Sequence, residues 1–489
     1  MLFNSLDFVI FFSIVLAVIV IIKNRSFQHL WLLGASYFFF YYTSNYLVSL
    51  LIISTLLDFY VGKAIWKTND IKHKKILLTI SLAGNLGLLG FFKYADFSIS
   101  QFNLLGNYFG FNEIPFLNLA LPIGISFYTF QTISYTVDIY RGKLTPSKTL
   151  KEFALFVTFF PQLVAGPIVR ASTFLPQLRE KMDSINTTGK LRQIILQNSN
   201  LKFGITLMAF GFFKKMFFAD NIAPLVNDIF ASPIGSESFT IILGAIGFGV
   251  QIYSDFSGYS DIAIGAALVM GFKFPLNFNK PYFAISPSDF WRRWHISLSS
   301  WLRDYLYIPL GGSKKSNNRT YFNLATVMFL GGLWHGASWN FVVWGMLHGS
   351  YLVIHRFLKQ KFPILSNNYF FKTWPGKIFS IFITQYLVFL AWITFRVENF
   401  DHLVYSVEKY VILDFQTTKT LEVIIDHKLE IIILILFFVL HFISYKKIEL
   451  KDKISNLRLP YWFLFLLGTI IVILLFYDGN PIDFVYFKF

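Results

Sequence analysis

The chain has 489 residues, of which 55% are hydrophobic and only 14% are charged, and it contains no cysteine. A soluble protein needs more charge than this to cover its surface, and a chain without cysteine forms no disulfide, thiolate metal site or cysteine acyl-enzyme. The formal net charge of +16 does not indicate a nucleic-acid partner, because the basic residues cluster in loops between apolar runs. We therefore predict an all-α, polytopic integral membrane protein whose surroundings are the lipid bilayer.

Apolar runs that could cross a membrane recur along the whole chain. A span takes roughly 20 apolar residues, and about twelve runs approach this length. The first run has no small-residue cleavage site after it, which predicts a retained helix rather than a signal peptide. No linker or repeat separates the runs, so we predict a single membrane domain over residues 1–489. The runs lie at 8–22, 28–44, 46–65, 76–93, 115–137, 202–218, 239–256, 321–335, 340–358, 378–396, 430–445 and 461–477.

The distribution of lysine and arginine predicts which side of the membrane each loop faces. Basic residues follow the first, third and fifth runs, whereas the loops at 42–45 and 94–114 carry none. Because cytoplasmic loops are enriched in lysine and arginine, we predict that the N-terminus lies outside the cytoplasm. Counting spans then places the C-terminus outside as well. The pair Lys214-Lys215 is an exception, since it lies near the predicted outer end of the sixth run.

Two segments do not fit simple spans. The apolar stretch at 152–179 is interrupted by Pro161, Gly166 and Pro167. Proline frees backbone groups that only surrounding protein can satisfy inside a membrane, so we predict a re-entrant or buried broken segment. The segment 277–320 is aromatic and basic, which favours helices that lie at the membrane interface or enter it partway.

His335 is the first candidate catalytic residue, in Leu333-Trp334-His335-Gly336. The apolar run before it, from Tyr321, contains 14 residues. Its length of about 21 Å is less than the hydrocarbon thickness of about 30 Å, which places the imidazole inside the membrane. The glycines at 331, 332 and 336 leave space that a substrate chain could enter. The alternative is a histidine hydrogen-bonded across a helix interface. Imidazole suits acyl transfer, because it can take a proton from a hydroxyl and return it to a leaving group.

His295 is the second candidate, in the basic and aromatic sequence Phe290-Trp-Arg-Arg-Trp-His. It is either a second polar group at the active centre, which orients the acyl carbonyl or the first histidine, or part of an interfacial helix that binds lipid headgroups. The arginines there could contact the phosphates of a thioester donor. The substrate-binding candidates around the two histidines are Trp334, Arg292, Arg293, Trp294, Asn340 and His348.

Other polar residues favour structural roles. Asp255 and Asp261 are six residues apart and do not share a helical face, so capping of a helix end is favoured over a proton relay. Arg303-Asp304 is predicted to be a structural ion pair. His348 and His355 share a helical face but lack the i, i+4 spacing of a helical metal pair. We predict no metal site, no tightly bound cofactor and no nucleotide-driven transport.

Five ordered blocks resemble the membrane-bound O-acyltransferases. They fall within residues 120–358, with compatible apolar runs on both sides. Within that family, FFKKMFFAD at 212–220 and the terminal FVYFKF at 484–489 are similar to the bacterial alginate O-acetylation type. The blocks are PQLVAGPIVR at 161–170, QIYSDFSGYSDIAIG at 251–265, FPLNFNKPY at 274–282, FWRRWHISLSSWLRDYLYIPLGG at 290–312 and GGLWHGASWNFVVWG at 331–345.

The resemblance implies that His335 is the essential histidine and His295 its companion. It implies re-entrant and interfacial helices and a helical ring around a central funnel and tunnel, in a bacterial cytoplasmic membrane. The acyl donor, acetyl-CoA or another cytoplasmic donor, would act as a substrate. The partner would be a periplasmic or extracellular acetyltransferase with an SGNH-hydrolase-like fold, which modifies a polysaccharide.

The sequence thus predicts an O-acyltransferase that relays an acetyl group across the membrane for polysaccharide O-acetylation, with His335 as base. D-Alanyl transfer to teichoic acid is an alternative within the same enzyme class. A transporter or polysaccharide flippase is an alternative from another class, because it would use the same intramembrane polar residues without covalent chemistry.

Overall fold

The computed structural model describes residues 1–22, 24–163, 166–188, 198–363, 369–446, 450–477, 479 and 482–485. Within these ranges the chain forms helices joined by turns and loops, and no β-strand is present. The predicted all-α class is confirmed for this part of the chain. Lys23, the middle of the block at 161–170 and the last four residues of the terminal FVYFKF lie outside the described residues.

The described residues up to Val269 form eleven α-helices and one π-helical segment. The helices are α1 (Leu6–Ile21), α2 (Arg25–Ser44), α3 (Val48–Lys67), α4 (Ile71–Phe109), α5 (Ile125–Tyr140), α6 (Leu150–Thr158), α7 (Phe160–Leu163), α8 (Ala171–Thr188), α9 (Asn198–Phe212), α10 (Asp220–Ala231) and α11 (Ser238–Val269), with the π segment Phe213–Ala219 between α9 and α10.

The second half adds ten described α-helices and a second π segment. The helices are α12 (Pro287–Arg293), α13 (Ile296–Leu302), α14 (Asn317–His335), α15 (Trp339–Lys361), α16 (Trp374–Arg396), α17 (Phe400–Val411), α18 (Thr418–Asp426), α19 (Lys428–Lys446), α20 (Leu450–Ser455) and α21 (Leu459–Leu475), and the π segment is Arg303–Tyr307.

Five stretches of the described chain are long and apolar enough to cross a membrane, which identifies a multi-pass membrane protein. Helices α1 and α21 are apolar but shorter. The count of about twelve spans stays a prediction. The span predicted at 115–137 is wrong at its start, because α5 begins only at Ile125. The five stretches are Phe27–Lys67, Ile71–Phe109, Ser238–Val269, Trp374–Arg396 and Lys428–Lys446.

The chain divides into two compact units. Unit 1 comprises residues 1–208 and 260–275, and unit 2 comprises residues 209–259 and 276–489. Helix α11 passes from unit 2 into unit 1 after Tyr259. The single-domain organisation stays a prediction. Both candidate histidines, His295 and His335, lie in unit 2.

Unit 1 contains the predicted broken segment. Helix α6 ends at Thr158, α7 covers only four residues, and the chain from Gly166 to Arg170 is not helical. The break is therefore confirmed, and its apolar side chains are buried. A β-carbon on Gly166 would lie 2.6 Å from the carbonyl oxygen of Pro161. Only glycine allows the chain to fold back this closely.

Unit 2 contains a tight hairpin of α14 and α15. The helices approach so closely that a β-carbon on Gly345 would lie 2.5 Å from the carbonyl oxygen of Met328. A β-carbon on Gly332 would collide with the carbonyl oxygen of Phe341, and one on Gly336 with the ring of Phe341. The space beside Gly332 and Gly336, expected for substrate, is therefore occupied by the protein's own α15. Gly331 meets only an ordinary contact, with Leu302.

A buried ion cluster in unit 2 explains the exception to the charge pattern. Lys215, in the first π segment, pairs with Asp255 of α11 and with Asp220, each at 2.8 Å. Lys214 donates to the carbonyl and the hydroxyl of Ser257. These lysines serve protein contacts rather than a loop, so their position does not contradict the predicted orientation. Asp255 and Asp261 lie inside α11, so the prediction that they cap a helix end is wrong.

The segment at 277–320 consists of short pieces in unit 2, as its mixed composition predicts. Helices α12 and α13 have seven residues each, followed by the π segment Arg303–Tyr307. The predicted ion pair is confirmed, with Arg303 Nε 2.7 Å from Asp304 Oδ1. This hydrogen bond raises the pKa of Arg303. Whether these helices lie at the membrane interface stays a prediction.

Candidate active site

His335 is the last residue of α14, immediately before the turn that leads into α15. Its side chain is only 4% exposed. The imidazole makes edge-to-face contacts with Trp344 of α15, at 4.8 Å between ring centroids, and with Phe395 of α16, at 5.4 Å. Three helices therefore enclose this ring, and aromatic side chains form the walls.

Helix α14 is longer than the apolar run that precedes His335. Helix α14 begins at Asn317, four residues before the apolar run at Tyr321, and has 19 residues. It rises about 28 Å, which is close to the thickness of the hydrocarbon core. The apolar run from Tyr321 is only the later part of this helix, so its length understates that of the helix. His335 is buried because α15 and α16 enclose it, and the length of α14 does not explain this burial.

His295 joins α12 to α13 in a strained backbone conformation. Its φ of 42° lies in the left-handed region, which is uncommon for a residue other than glycine. The Ile296 amide donates to the backbone carbonyl of Asn277 at 2.9 Å, and the side-chain oxygen of Asn277 lies 3.2 Å from His295 Nδ1. The side chain of His295 is fully buried. Asn277 thus holds both the backbone and the ring of this histidine.

Trp334 connects the two histidines. Its indole lies 6.2 Å from the His295 ring and 5.0 Å from the His335 ring, measured between centroids. The contacts continue through Trp344, which lies 4.7 Å from His348. The structure therefore brings His295, His335 and His348 into one aromatic cluster. Their joint placement is as the sequence predicts, but their catalytic roles stay a prediction.

Trp294 closes the cluster on the side of α16. It is 1% exposed and lies 4.9 Å from Trp392 and 5.1 Å from Phe278 between ring centroids. His348 is also 1% exposed and stacks on Phe290 of α12 at 6.0 Å. Both side chains are placed to shape the cluster by packing.

Several polar atoms of the cluster have no hydrogen-bond partner in the described part of the chain. Within the described residues, Nε2 of His295 and His348 and Nε1 of Trp344 and Trp392 are buried and make no hydrogen bond. Buried polar atoms normally have a partner. These atoms are unsatisfied hydrogen-bonding groups within the same aromatic cluster as His335, which suits recognition of a polar substrate group. In the described part of the chain, no three His, Asp or Glu side chains converge to hold a metal ion.

The two predicted arginines, Arg292 and Arg293, make no described contact with the histidines. Arg293 pairs with Asp289 at 3.0 Å, one helical turn earlier, and its Nη1 lies 3.5 Å from the carbonyl oxygen of Asn279. Arg292 is exposed. Their predicted contact with donor phosphates therefore stays a prediction. The ring contacts of His295 are with aromatic side chains.

Asn340 has a structural contact that its sequence position did not reveal. It lies in the first turn of α15, is 8% exposed, and its Nδ2 donates to the carbonyls of Val397 and Glu398. These carbonyls directly follow α16. The side chain therefore ties the start of α15 to the end of α16, so its amide hydrogens are already used.

We expect Asn340→Ala to lower the free energy of unfolding by about 1–3 kcal/mol, because it leaves the buried carbonyl of Val397 and the part-buried carbonyl of Glu398 without their donor. Thermal unfolding of the purified protein, followed by tryptophan fluorescence, measures the effect. Asn340→Asp should be at least as damaging, since a carboxylate faces the same carbonyl oxygens. A melting temperature unchanged in both variants would contradict the structural role.

Sequence reasoning missed four residues of the cluster: Asn277, Trp344, Trp392 and Phe395. Asn277 lies within FPLNFNKPY at 274–282, a block noticed only as a family marker. Trp344 lies nine residues after His335, about one and a half turns into the next helix. Trp392 and Phe395 come from α16, far along the chain, and no local pattern distinguishes them from core residues.

Comparison with known proteins identifies the family. The model of the membrane-bound O-acyltransferase family matches residues 145–396, which include both histidines. The chain is 37% identical over 404 residues to the probable alginate O-acetylase AlgI of Azotobacter vinelandii, covering 82% of this chain and 76% of that protein.

Two further relatives extend the comparison. The peptidoglycan O-acetyltransferase of Helicobacter pylori is 37% identical over 403 residues, with 78% of this chain and 73% of that protein covered. The teichoic acid D-alanyltransferase of Streptococcus thermophilus is 31% identical over 291 residues, with 56% and 68% covered. The enclosed histidines of unit 2 thus lie in a chain that is similar to acyl-transferring enzymes over most of its length. The protein therefore belongs to the membrane-bound O-acyltransferase family and is an acyltransferase.

Proposed function

We propose that the protein takes an acetyl group from a cytoplasmic donor, acetyl-CoA or another acyl donor, and relays it for O-acetylation of a polysaccharide outside the cytoplasm. The names of two relatives, an alginate O-acetylase and a peptidoglycan O-acetyltransferase, support this substrate class. The observation that carries the proposal is the enclosure of His335 by aromatic walls beside two further buried histidines.

His335 acts in this proposal as the base. The imidazole takes the proton from the accepting hydroxyl, whose oxygen forms the ester bond as the bond to the donor's leaving group breaks. The proton then passes to the leaving group, so the ring returns to its starting state. His295, beyond Trp334, positions the donor carbonyl or the substrate, and Trp334 separates the two rings.

The proposal includes a location and a partner. The protein lies in the bacterial cytoplasmic membrane with both termini outside, as the loop charges favour. A periplasmic or extracellular partner with an SGNH-hydrolase-like fold receives the acetyl group and passes it to the polysaccharide. The donor is a substrate rather than a resident cofactor.

Two alternatives lead to different measurements. D-Alanyl transfer to teichoic acid has support from a relative that covers less of the chain. A flippase would move polysaccharide through the same polar cluster but would form no covalent bond.

Vesicles that contain the purified protein separate these alternatives. Acetyl-CoA with a labelled acetyl group is supplied on one side, and alginate and peptidoglycan fragments, with and without the co-purifying partner, on the other. We expect covalent label on a polysaccharide or on the partner, dependent on the protein. Label from a D-alanyl thioester of a carrier protein but not from acetyl-CoA would favour the first alternative, and polysaccharide movement without label would favour the second.

A further inference from the structure

The side-chain oxygen of Asn277 makes three polar contacts beside His295. Its Oδ1 accepts from the Ser297 amide at 3.2 Å and from the Ser297 hydroxyl at 2.8 Å, and it lies 3.2 Å from His295 Nδ1. Asn277 and His295 are both fully buried. A backbone N–H can only donate, so the atom facing Ser297 must be the oxygen of the amide. The orientation of the Asn277 side chain is therefore fixed.

This orientation fixes the tautomer of His295. An amide oxygen is an acceptor only, so the ring nitrogen facing it, Nδ1, must carry hydrogen. The Ser297 hydroxyl, 3.5 Å from Nδ1, gives its own hydrogen to Asn277 and can only accept from the ring. A neutral imidazole with hydrogen on Nδ1 has a bare lone pair on Nε2.

The surroundings of the ring favour the neutral form. The ring of His295 packs edge-on to Phe256 at 4.7 Å and lies 6.2 Å from Trp334 between centroids. Burial among aromatic rings opposes charge on a group that has no opposite charge beside it. Within the described residues Nε2 is buried and makes no hydrogen bond. The lone pair of His295 Nε2 therefore lies in the aromatic cluster that contains His335, where a substrate hydrogen could meet it.

We propose that Asn277 is a positioning residue that holds His295 in the Nδ1–H tautomer, so that Nε2 meets the substrate as a hydrogen-bond acceptor. The inference rests on the proposed function, and it specifies which substrate groups His295 can meet. A neutral ring of this tautomer cannot donate to an oxyanion through Nε2. It can accept a hydrogen bond from a substrate O–H or N–H other than the reacting hydroxyl, while the reacting hydroxyl gives its proton to His335.

The charged side chains of the neighbouring chain segments are either paired with an opposite charge or exposed. Helix α11 contributes Asp255, which pairs with Lys215, and α12 contributes Arg293, which pairs with Asp289. Helix α12 also contributes the exposed Arg292, and α14 contributes His335. The hydrogen bond from His295 to Asn277 is therefore a neutral one, which makes an amide rather than a carboxylate the feature to test.

The test is a ¹⁵N NMR spectrum of the full-length, membrane-reconstituted protein with labelled histidine. The chain has nine histidines, and comparison with His295→Gln identifies the signals of His295. We expect one protonated nitrogen at Nδ1 and a bare Nε2 in the wild type. In Asn277→Leu we expect this preference to be lost, whereas Asn277→Asp retains an acceptor and should keep Nδ1 protonated. Asn279→Leu is the matched control, because Asn279 is exposed in the same loop.

Hydrogen on Nε2 of wild-type His295 would overturn the inference, even if every variant misfolded. An unchanged tautomer in a folded Asn277→Leu protein would show that Asn277 does not hold His295 in this tautomer. Acetyl transfer by Asn277→Leu is expected to fall about 10- to 100-fold, and wild-type transfer by that variant would show that Nε2 does not serve the substrate. Because the spectrum needs neither donor nor acceptor, it can confirm the tautomer even where no acetyl transfer is found, which separates the two proposals.

Discussion

His335→Ala is expected to reduce acetyl transfer by roughly 10²- to 10⁴-fold, the contribution typical of a positioned general base. The variant removes the ring that α14 presents to Trp344 and Phe395. Labelled acetyl transfer in protein vesicles measures the loss at equal amounts of folded protein. The rate should not recover with more donor, because the lost group acts in the chemical step rather than in binding.

His402→Ala is the control for this prediction. His402 lies in α17 and is only half-buried, outside the aromatic cluster. We expect its transfer rate to equal that of the wild type. His335→Ala must also elute as a monodisperse protein with a melting temperature near the wild-type value. Transfer within a few-fold of wild type in such a preparation would remove His335 from the base role.

Lys215→Met is expected to lower the free energy of unfolding by about 3–5 kcal/mol, because it leaves buried carboxylates without the ammonium that neutralises them. Lys215 is 1% exposed and Asp255 is fully buried. The backbone also depends on this cluster, since the amide of Val485 donates to Asp255 Oδ2 at 2.6 Å. Denaturation of the purified protein, followed by tryptophan fluorescence, measures the change.

Two comparisons make this second prediction specific. Adding Asp255→Asn to Lys215→Met should restore part of the stability, because the second change removes one of the two uncompensated charges and leaves that of Asp220. Lys409→Met breaks the pair with Asp414, whose atoms are 2.9 Å apart but more exposed. A loss for Lys215→Met no larger than that for Lys409→Met would mean that burial does not strengthen the cluster.

The sequence was sufficient to predict the all-α class of fold, and the two histidines it singles out lie in one aromatic cluster, although their catalytic roles stay a prediction. Hydropathy and loop charge depend on local composition, and a histidine after an apolar run is a local signal as well. The same signals gave wrong boundaries where polar residues join a helix. Helix α14 includes Asn317 and Arg319 before its apolar part, and α5 excludes the first ten residues of the predicted span.

Residues whose roles depend on distant partners could not be predicted. Lys215 looked like a misplaced loop charge, because a charge pattern does not show that Asp255 lies beside it. Asn340 looked like a substrate contact from its place after His335, whereas its partners, the carbonyls of Val397 and Glu398, are more than fifty residues away. The role of Asn277 depends on a contact with His295, which lies eighteen residues later in the chain.

The first π segment, Phe213–Ala219, has a consequence for insertions and deletions. A π-helical turn corresponds to one extra residue in an α-helix, and each helical residue turns the chain by about 100°. Removing a single residue from this segment would restore ordinary α-helical spacing and rotate Asp220 away from Lys215. A deletion of one uncharged residue there would thus act like a charge mutation, although no charged residue is lost. Libraries of single-residue deletions along α9 and α10 should show an isolated intolerant stretch at these seven positions.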